Sequence, residues 1–369
     1  MFDAAAALAR AAPLWQGLAA GREALGLATH ELLHAGPPLA DPTRPPLPLR
    51  SAVVMTALHE GWAASESEAE AMLAAGVLKL SPAQARRCVT PLAAVVAAGT
   101  PLFAVGCGAA PVWAPVSPLG GPDTRMGHRD PAILARLADR DARVAPALAG
   151  WLAKHGPLPL WPLADAGLQA GDDLHSRTTG ANTAFAHLMA LPALDDGLRA
   201  TPLFFLTLWM AACAALLRTL DGGDRPTWIT RAGANGECFG YALAQAPDRW
   251  LTLPARPPQG WRLPTAPEEA AVCPAVGDSA VIDLLGFGGQ RLAWAPEPAA
   301  VLAAQIPPDA AERSQAMRQR AHPALRDRWA LGIDAQAIGA DTGPLVCLAM
   351  LAADGQTGLL GRGLVRLTR

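Results

Sequence analysis

The sequence predicts an α/β protein: two α/β domains with a small helical domain between them. Three observations carry that prediction. Short β-rich runs alternate with capped helices over residues 1–125, apolar residues at helical spacing dominate 126–190, and strands with tight turns return within 191–369. A chain of 369 residues exceeds the ~250–300 at which a single core stops growing, so two or three domains are expected.

Each element has a local reason. Glu31 to Arg50 is rich in proline (Pro37, Pro38, Pro42, Pro45, Pro46, Pro48), which removes amide donors and predicts a loop, with structure resuming at the apolar run Ala52 to Leu58. Ser65 followed three residues later by Glu68 is a capping-box spacing, so a helix is expected to about Ala75, stopping at Gly76. Val77 to Leu80 and Leu102 to Val105 read as short strands. Asp130 and Pro131 open a helix whose apolar face is Ile133, Leu134, Leu137 and Val144; Pro146 must end or kink it, and a second helix runs to Gly156. Gly171 to Leu191 reads as loop then helix, and Leu203 to Leu217 as a buried core helix, too short for the ~20 residues of a bilayer span. Strands are expected at Thr227 to Thr230, through a turn at Asn235-Gly236 to Phe239, Tyr241 and Leu243, and at Trp250 to Leu253, Val281 to Leu285, Leu345 to Leu351 and Leu364 to Leu367.

Composition excludes several functions. With 51% apolar and only 17% charged residues the chain buries much of itself, in a core or in subunit contacts, which leaves room for a homo-oligomer and none for extensive disorder. A net charge of −2 provides no field for nucleic acid or an anionic membrane, so a small polar ligand or a protein partner is expected. Six scattered cysteines without a CxxC pair read as thiols of a reducing compartment, and the first twenty residues lack a secretory pattern; both point to the cytoplasm.

Four clusters hold groups capable of chemistry. Gly171-Asp172-Asp173-Leu174-His175-Ser176-Arg177-Thr178 gathers carboxylates, an imidazole, a guanidinium and hydroxyls before a helix, suited to proton transfer or anion binding, or equally to capping that helix. One histidine beside two adjacent aspartates lacks the spaced ligands of a zinc site, so no metal or other cofactor is expected. Arg231 to Gly236 places a guanidinium and Asn235 beside glycines, as an anion grip or as a hairpin turn. Gly277-Asp278-Ser279 with Gly286 to Gly289 offers a backbone anion nest or a plain glycine turn, and Gly355 to Gly363 another such loop or close strand packing.

Taken in order, these clusters resemble the YlbE-like (AllG-like) family. The matching residues are His34-Ala35-Gly36-Pro37-Pro38, His59-Glu60-Gly61-Trp62-Ala63, Gly171 to Arg177, Phe204-Phe205-Leu206 with Met210-Ala211-Ala212, Arg231 to Phe239, Trp250 to Ala255, Gly277 to Ala280, Gly286 to Gly289, Gly332-Ile333-Asp334 and Gly358 to Val365. The resemblance implies a subunit of an oxamate carbamoyltransferase in allantoin (purine) degradation, partnered by FdrA-like and AllH-like subunits. The implied reaction passes a carbamoyl group between oxalurate and phosphate, giving oxamate and carbamoyl phosphate. On that reading Arg177 and Arg231 hold the anionic ends in one pocket, His175 manages a proton, and Asp172 or Asp173 orients it. Gly288 and Gly289 turn their amides to phosphate, and Thr178, Asn235 and Ser279 join as substrate contacts. Ala83-Gln84-Ala85-Arg86-Arg87 and Ala352-Ala353 depart from the family's histidines at those places. A non-catalytic scaffold subunit and a metal-dependent amidohydrolase centred on Asp172, Asp173 and His175 are the alternatives.

Overall fold

A computed structural model describes residues 3–108, 110–326, 329–340 and 342–368. The chain opens with helix α1 (Ala4–Arg10), capped by Asp3, and strand β1 (Leu14–Ala20), then α2 (Gly21–Leu25) and β2 (Glu31–His34). The proline-rich stretch is shorter than expected. Helix α3 (Leu47–His59) begins inside it with Pro48 in its first turn, where no backbone donor is needed. Ser65 caps α4 (Glu66–Ala74) through the Glu68 amide as the spacing predicts; β3 (Lys79–Pro82) starts two residues late, and β4 (Pro101–Gly106) and β5 (Val112–Pro115) follow.

Helices α5 (Pro131–Asp139) and α6 (Ala145–His155) are joined by a π-helical turn, Arg140–Val144. Pro146 does not end the helix, because the wider turn takes up the break just before it. Strand β6 (Leu158–Pro159) pairs with β1, completing the sheet β5-β4-β1-β6, so the middle of the chain is stitched to the first third. Helices α7 (Trp161–Gln169), α8 (Thr179–Met189) and α9 (Asp195–Arg199) lead into α10 (Phe204–Arg218).

Helix α10 is the hub. Every side chain from Phe204 to Leu217 is buried, and at about 22 Å for fifteen residues it is a core rod. Phe204 meets Phe103 edge-on at 6.1 Å, and Trp209 meets Phe287 at 5.4 Å and Trp161 at 5.7 Å, joining three parts of the chain. No helix among the described residues is long and apolar enough to cross a membrane.

Strands β7 (Ile229–Asn235), β8 (Cys238–Leu243), β9 (Ala246–Pro254), β10 (Gln259–Arg262) and β11 (Val276–Gly277) then form, with β7 to β9 a meander and β11 flanking β7. Tyr241 is buried on β8. Val281 to Leu285 is not a strand but most of helix α11 (Ala280–Leu285). A run buried on all sides carries no period from which to tell strand from helix. After α12 (Pro296–Val301) and α13 (Ala310–Met317) come β12 (Arg318–Ala321), β13 (Ala330–Ile333), β14 (Leu345–Leu351) and β15 (Leu359–Arg366); the sheet order β10-β15-β14 leaves β10 on an edge. Helices and small, mainly antiparallel sheets thus mix throughout; β2 and β3 pair in parallel, and Cys88 makes an isolated parallel bridge to Trp113.

One buried carboxylate ties the first third of the chain to the last. Asp278 accepts the Gly36 amide and the Gln84 side-chain amide on Oδ1, at 2.9 and 2.7 Å, and the Thr90 amide on Oδ2 at 2.9 Å. Gly36 lies so close to β7 that a Cβ there would come within 2.5 Å of the Ala234 carbonyl carbon. Burial outweighs these donors and raises the Asp278 pKa to about 6.

Candidate active site

The loop before α8 is built around two carboxylates that look inward. Asp172 accepts the Gly180 and Ala181 amides at 3.1 and 2.9 Å, capping α8 from a distance, and takes Arg177 Nη1 at 2.7 Å. The helix N-terminus is therefore already occupied by a protein anion. Burial raises the Asp172 pKa, opposed by those two amides and by Arg177. Asp173 receives the amides of His175, Ser176 and Arg177 and the Ser176 hydroxyl, closing the loop as a tight knot. Leu174, at its centre, is buried with φ 65°, a left-handed conformation that leucine adopts only under constraint.

That knot aims His175 at helix α11. His175 Nδ1 lies 2.6 Å from Asp283 Oδ2, both residues being almost fully buried. Asp283 Oδ1 accepts the amides of Gly289 and Cys347 at 2.7 and 3.0 Å, so its carboxylate is held at both oxygens. Burial alone would lower the His175 pKa, but the charge and hydrogen bond of Asp283, with the charge of Asp173, outweigh it and the net shift is upward. The residue that orients the imidazole is therefore Asp283 and not Asp172; Asp173 holds only its backbone. With Nδ1 engaged, Nε2 is the nitrogen left for a ligand.

His175 opens onto a cavity of about 450 Å³, lined also by Ser176, Arg177, Ser279, Cys347, Arg125 and Arg362. Three guanidinium groups thus meet at one space. Arg177 is tied to Asp172, Arg125 Nε lies 3.2 Å from Asp123, and Arg362 holds Glu297, itself in the lining, through two hydrogen bonds of 3.1 and 2.6 Å. The Ser279 hydroxyl is buried and has no hydrogen-bond partner among the described residues. Cys347 donates its thiol to Asp173 Oδ2 at 3.6 Å, and burial with the charges of Asp173 and Asp283 pushes its pKa well up, so it is a protonated donor at neutral pH. His175, Asp283 and Cys347 each offer one ligating atom within 4.8 Å of the others; this buried trio, without Asp172, is the place where a metal could be held.

Several expected contacts lie elsewhere. Arg231 does not meet Arg177: it pairs with Asp221 at 2.7 and 3.2 Å, near Arg87 and Arg218, and does not line the cavity. Burial, with the charges of Arg231 and Arg87, lowers the Arg218 pKa to about 9. Asn235 is a buried brace, donating to the carbonyls of Pro37 and Pro38 and accepting the amides of Glu237 and Cys238. The Gly288 amide donates to the Asp173 carbonyl and the Gly289 amide to Asp283, so neither is open to phosphate. Gly288 is required because a Cβ there would stand 2.3 Å from Asp283 Oδ1. Thr178 is fully buried and gives its hydroxyl to the Pro202 carbonyl. Arg125, Asp283, Cys347 and Arg362 were absent from the sequence-derived site. Arg362 lay within the glycine-rich stretch Gly355 to Gly363, and Asp283 left a mark as a charge inside an apolar run that must find buried partners.

The histidine of an Asp–His dyad and three arginines, each paired with a carboxylate, line one cavity. The chain belongs to the AllG family: the family described as oxamate carbamoyltransferase subunit AllG matches residues 78–279. It is 29% identical over 285 residues to the oxamate carbamoyltransferase subunit AllG of Escherichia coli (strain K12), covering 72% of this chain and 66% of that protein. It is 25% identical over 309 residues to the uncharacterized protein YahG of the same strain, covering 80% of this chain and 65% of that one. The chain thus matches just under two thirds of the length of these curated relatives. A crystal structure of a conserved protein of unknown function from Enterococcus faecalis V583 shares the fold, with a TM-score of 0.87 over 99% of this chain and 93% of that one at 20% identity. The family match takes in Arg125, His175, Arg177 and Ser279; Asp283, Cys347 and Arg362 lie beyond it.

Proposed function

We propose that the chain is a catalytic subunit of a carbamoyltransferase that exchanges a carbamoyl group between oxalurate and phosphate, in allantoin degradation in the cytoplasm. The observation that carries this reading is the His175–Asp283 dyad facing a cavity with three guanidinium groups. In the direction of carbamoyl phosphate, a phosphate oxygen attacks the carbamoyl carbon, the bond from that carbon to the oxamate nitrogen breaks, and the nitrogen needs a proton. A His175 kept protonated by Asp283 supplies it as a general acid and recovers it in reverse. Arg125, Arg177 and Arg362 hold the carboxylate and phosphate, and the Ser279 hydroxyl contacts the amide acid.

The cavity draws on all three segments of the chain: Arg125 from 1–125, His175 and Arg177 from 126–190, and Ser279, Cys347 and Arg362 from 191–369. If these segments are two α/β domains and a helical one, the site lies at their junction, where β6 of the middle segment joins the sheet of the first. The relative's printed description as a subunit, with the apolar bias of this chain, supports assembly with FdrA-like and AllH-like partners or with a second copy of itself. Six free thiols accord with a reducing compartment.

The test is carbamoyl phosphate formation from oxalurate and phosphate in the assembled complex. His175→Asn is expected to lower the rate by about 10²–10⁴-fold, the usual value of a general acid. An unchanged rate would place catalysis on another subunit and leave this chain a scaffold.

A further inference from the structure

The cavity has an apolar wall that neither phosphate nor an acid as small as oxamate would cover. Its volume of about 450 Å³ falls in the ~300–1,000 Å³ range of sites that enclose ligands the size of a drug. Beside the charged groups it presents Leu203, Leu206, Trp261, Leu263, Leu348 and Leu359. Trp261, on edge strand β10, is 39% exposed, one of the few large apolar side chains left open among the described residues, and Arg362 lies 5.8 Å from its ring. A bare amide acid held by the arginines and Ser279 would leave that apolar wall in contact with water.

We propose that the substrate of this site is an amide or ureido acid bearing an apolar substituent, gripped at its charged end by Arg125, Arg177 and Ser279 and covered along its apolar part by Leu206, Leu359 and Trp261. The inference rests on the reading of the cavity as the carbamoyl-transfer site and changes the amide acid that exchanges the carbamoyl group with phosphate. The polar end is held by the arginines and by the buried Ser279 hydroxyl, which lacks a partner among the described residues. The apolar end follows from area: each methylene moved from water onto such a wall is worth about a fourfold gain in affinity.

The experiment is calorimetric titration of the full-length chain with oxamate and its N-methyl, N-ethyl, N-propyl and N-butyl derivatives. Affinity is expected to climb about fourfold per methylene, and Trp261→Ser to flatten the climb for the longer members; because Trp261 is on an exposed edge, that variant keeps its fold. If oxamate binds but the series is flat or falls, the apolar-substituent inference is overturned while the anion site stands. If no member binds, the reading of the cavity as a site for such acids fails with it.

Discussion

Asp278 and Ser279 are neighbours in sequence and opposites in surroundings. The Asp278 carboxylate is saturated, accepting hydrogen bonds from Gly36, Gln84 and Thr90, and it joins distant parts of the chain. Ser279, one residue on, is almost as buried and lines the cavity, and its hydroxyl has no partner among the described residues. A saturated polar group holds the fold, because its removal strands other groups. An unsaturated one beside a cavity is a cost that a ligand can offset. Position separates Asn235, engaged at both amide atoms by the protein, and Arg231, paired with Asp221 away from the cavity, from Arg125 and Arg177, which line it.

The sharpest way to break the comparison is Asp278→Ala. It strands three buried donors, and a loss of about 3–5 kcal/mol in unfolding free energy is expected from denaturant melts; a loss under about 1 kcal/mol would mean that the junction is not saturated as described. Next is the pH dependence of the same group. Its pKa rises from 3.8 unfolded to about 6 folded, so the folded state holds the proton more tightly. Its contribution is most favourable below pH 4 and declines by about 3 kcal/mol as pH climbs to 6 and above. Wild type should therefore lose stability across that window relative to Asp278→Asn, measured as paired melts. Arg177→Ala is expected to cost less stability, about 1–2 kcal/mol, because Asp172 keeps its two amide partners, but to weaken anion binding by more than about tenfold. For the dyad, Asp283→Asn removes the charge that raises the His175 pKa. The loss of activity at high pH, where the general acid is deprotonated, should then begin at lower pH than in wild type.

Much of the fold was legible where local chemistry decides it. The Ser65 and Asp130 caps and the Asn235-Gly236 turn are written in adjacent residues, and so is the almost wholly apolar α10. Helix α11 was not, since a segment buried on every side shows no period, and Pro146 was read as a break because the π-turn that accommodates it has no sequence signature. The polar loop from Gly171 to Thr178 and Ser279 were visible as clusters; that Arg125, Asp283, Cys347 and Arg362 converge on them was not, because those residues come from separated stretches. Arg231, Asn235, Gly288 and Gly289 were misplaced for a common reason. A polar side chain or glycine amide that braces the backbone looks in sequence the same as one that holds a ligand, and only its partners in space tell them apart.

The measurement that tests this most directly is Ser279→Ala, with calorimetric titration of oxalurate and phosphate and a denaturant melt on the same preparation. The expected result is affinity lowered by about tenfold or more with stability moved by less than about 0.5 kcal/mol. Unchanged affinity with a clear loss of stability would show that the hydroxyl serves the fold, and would contradict the assignment of the cavity as the anion site.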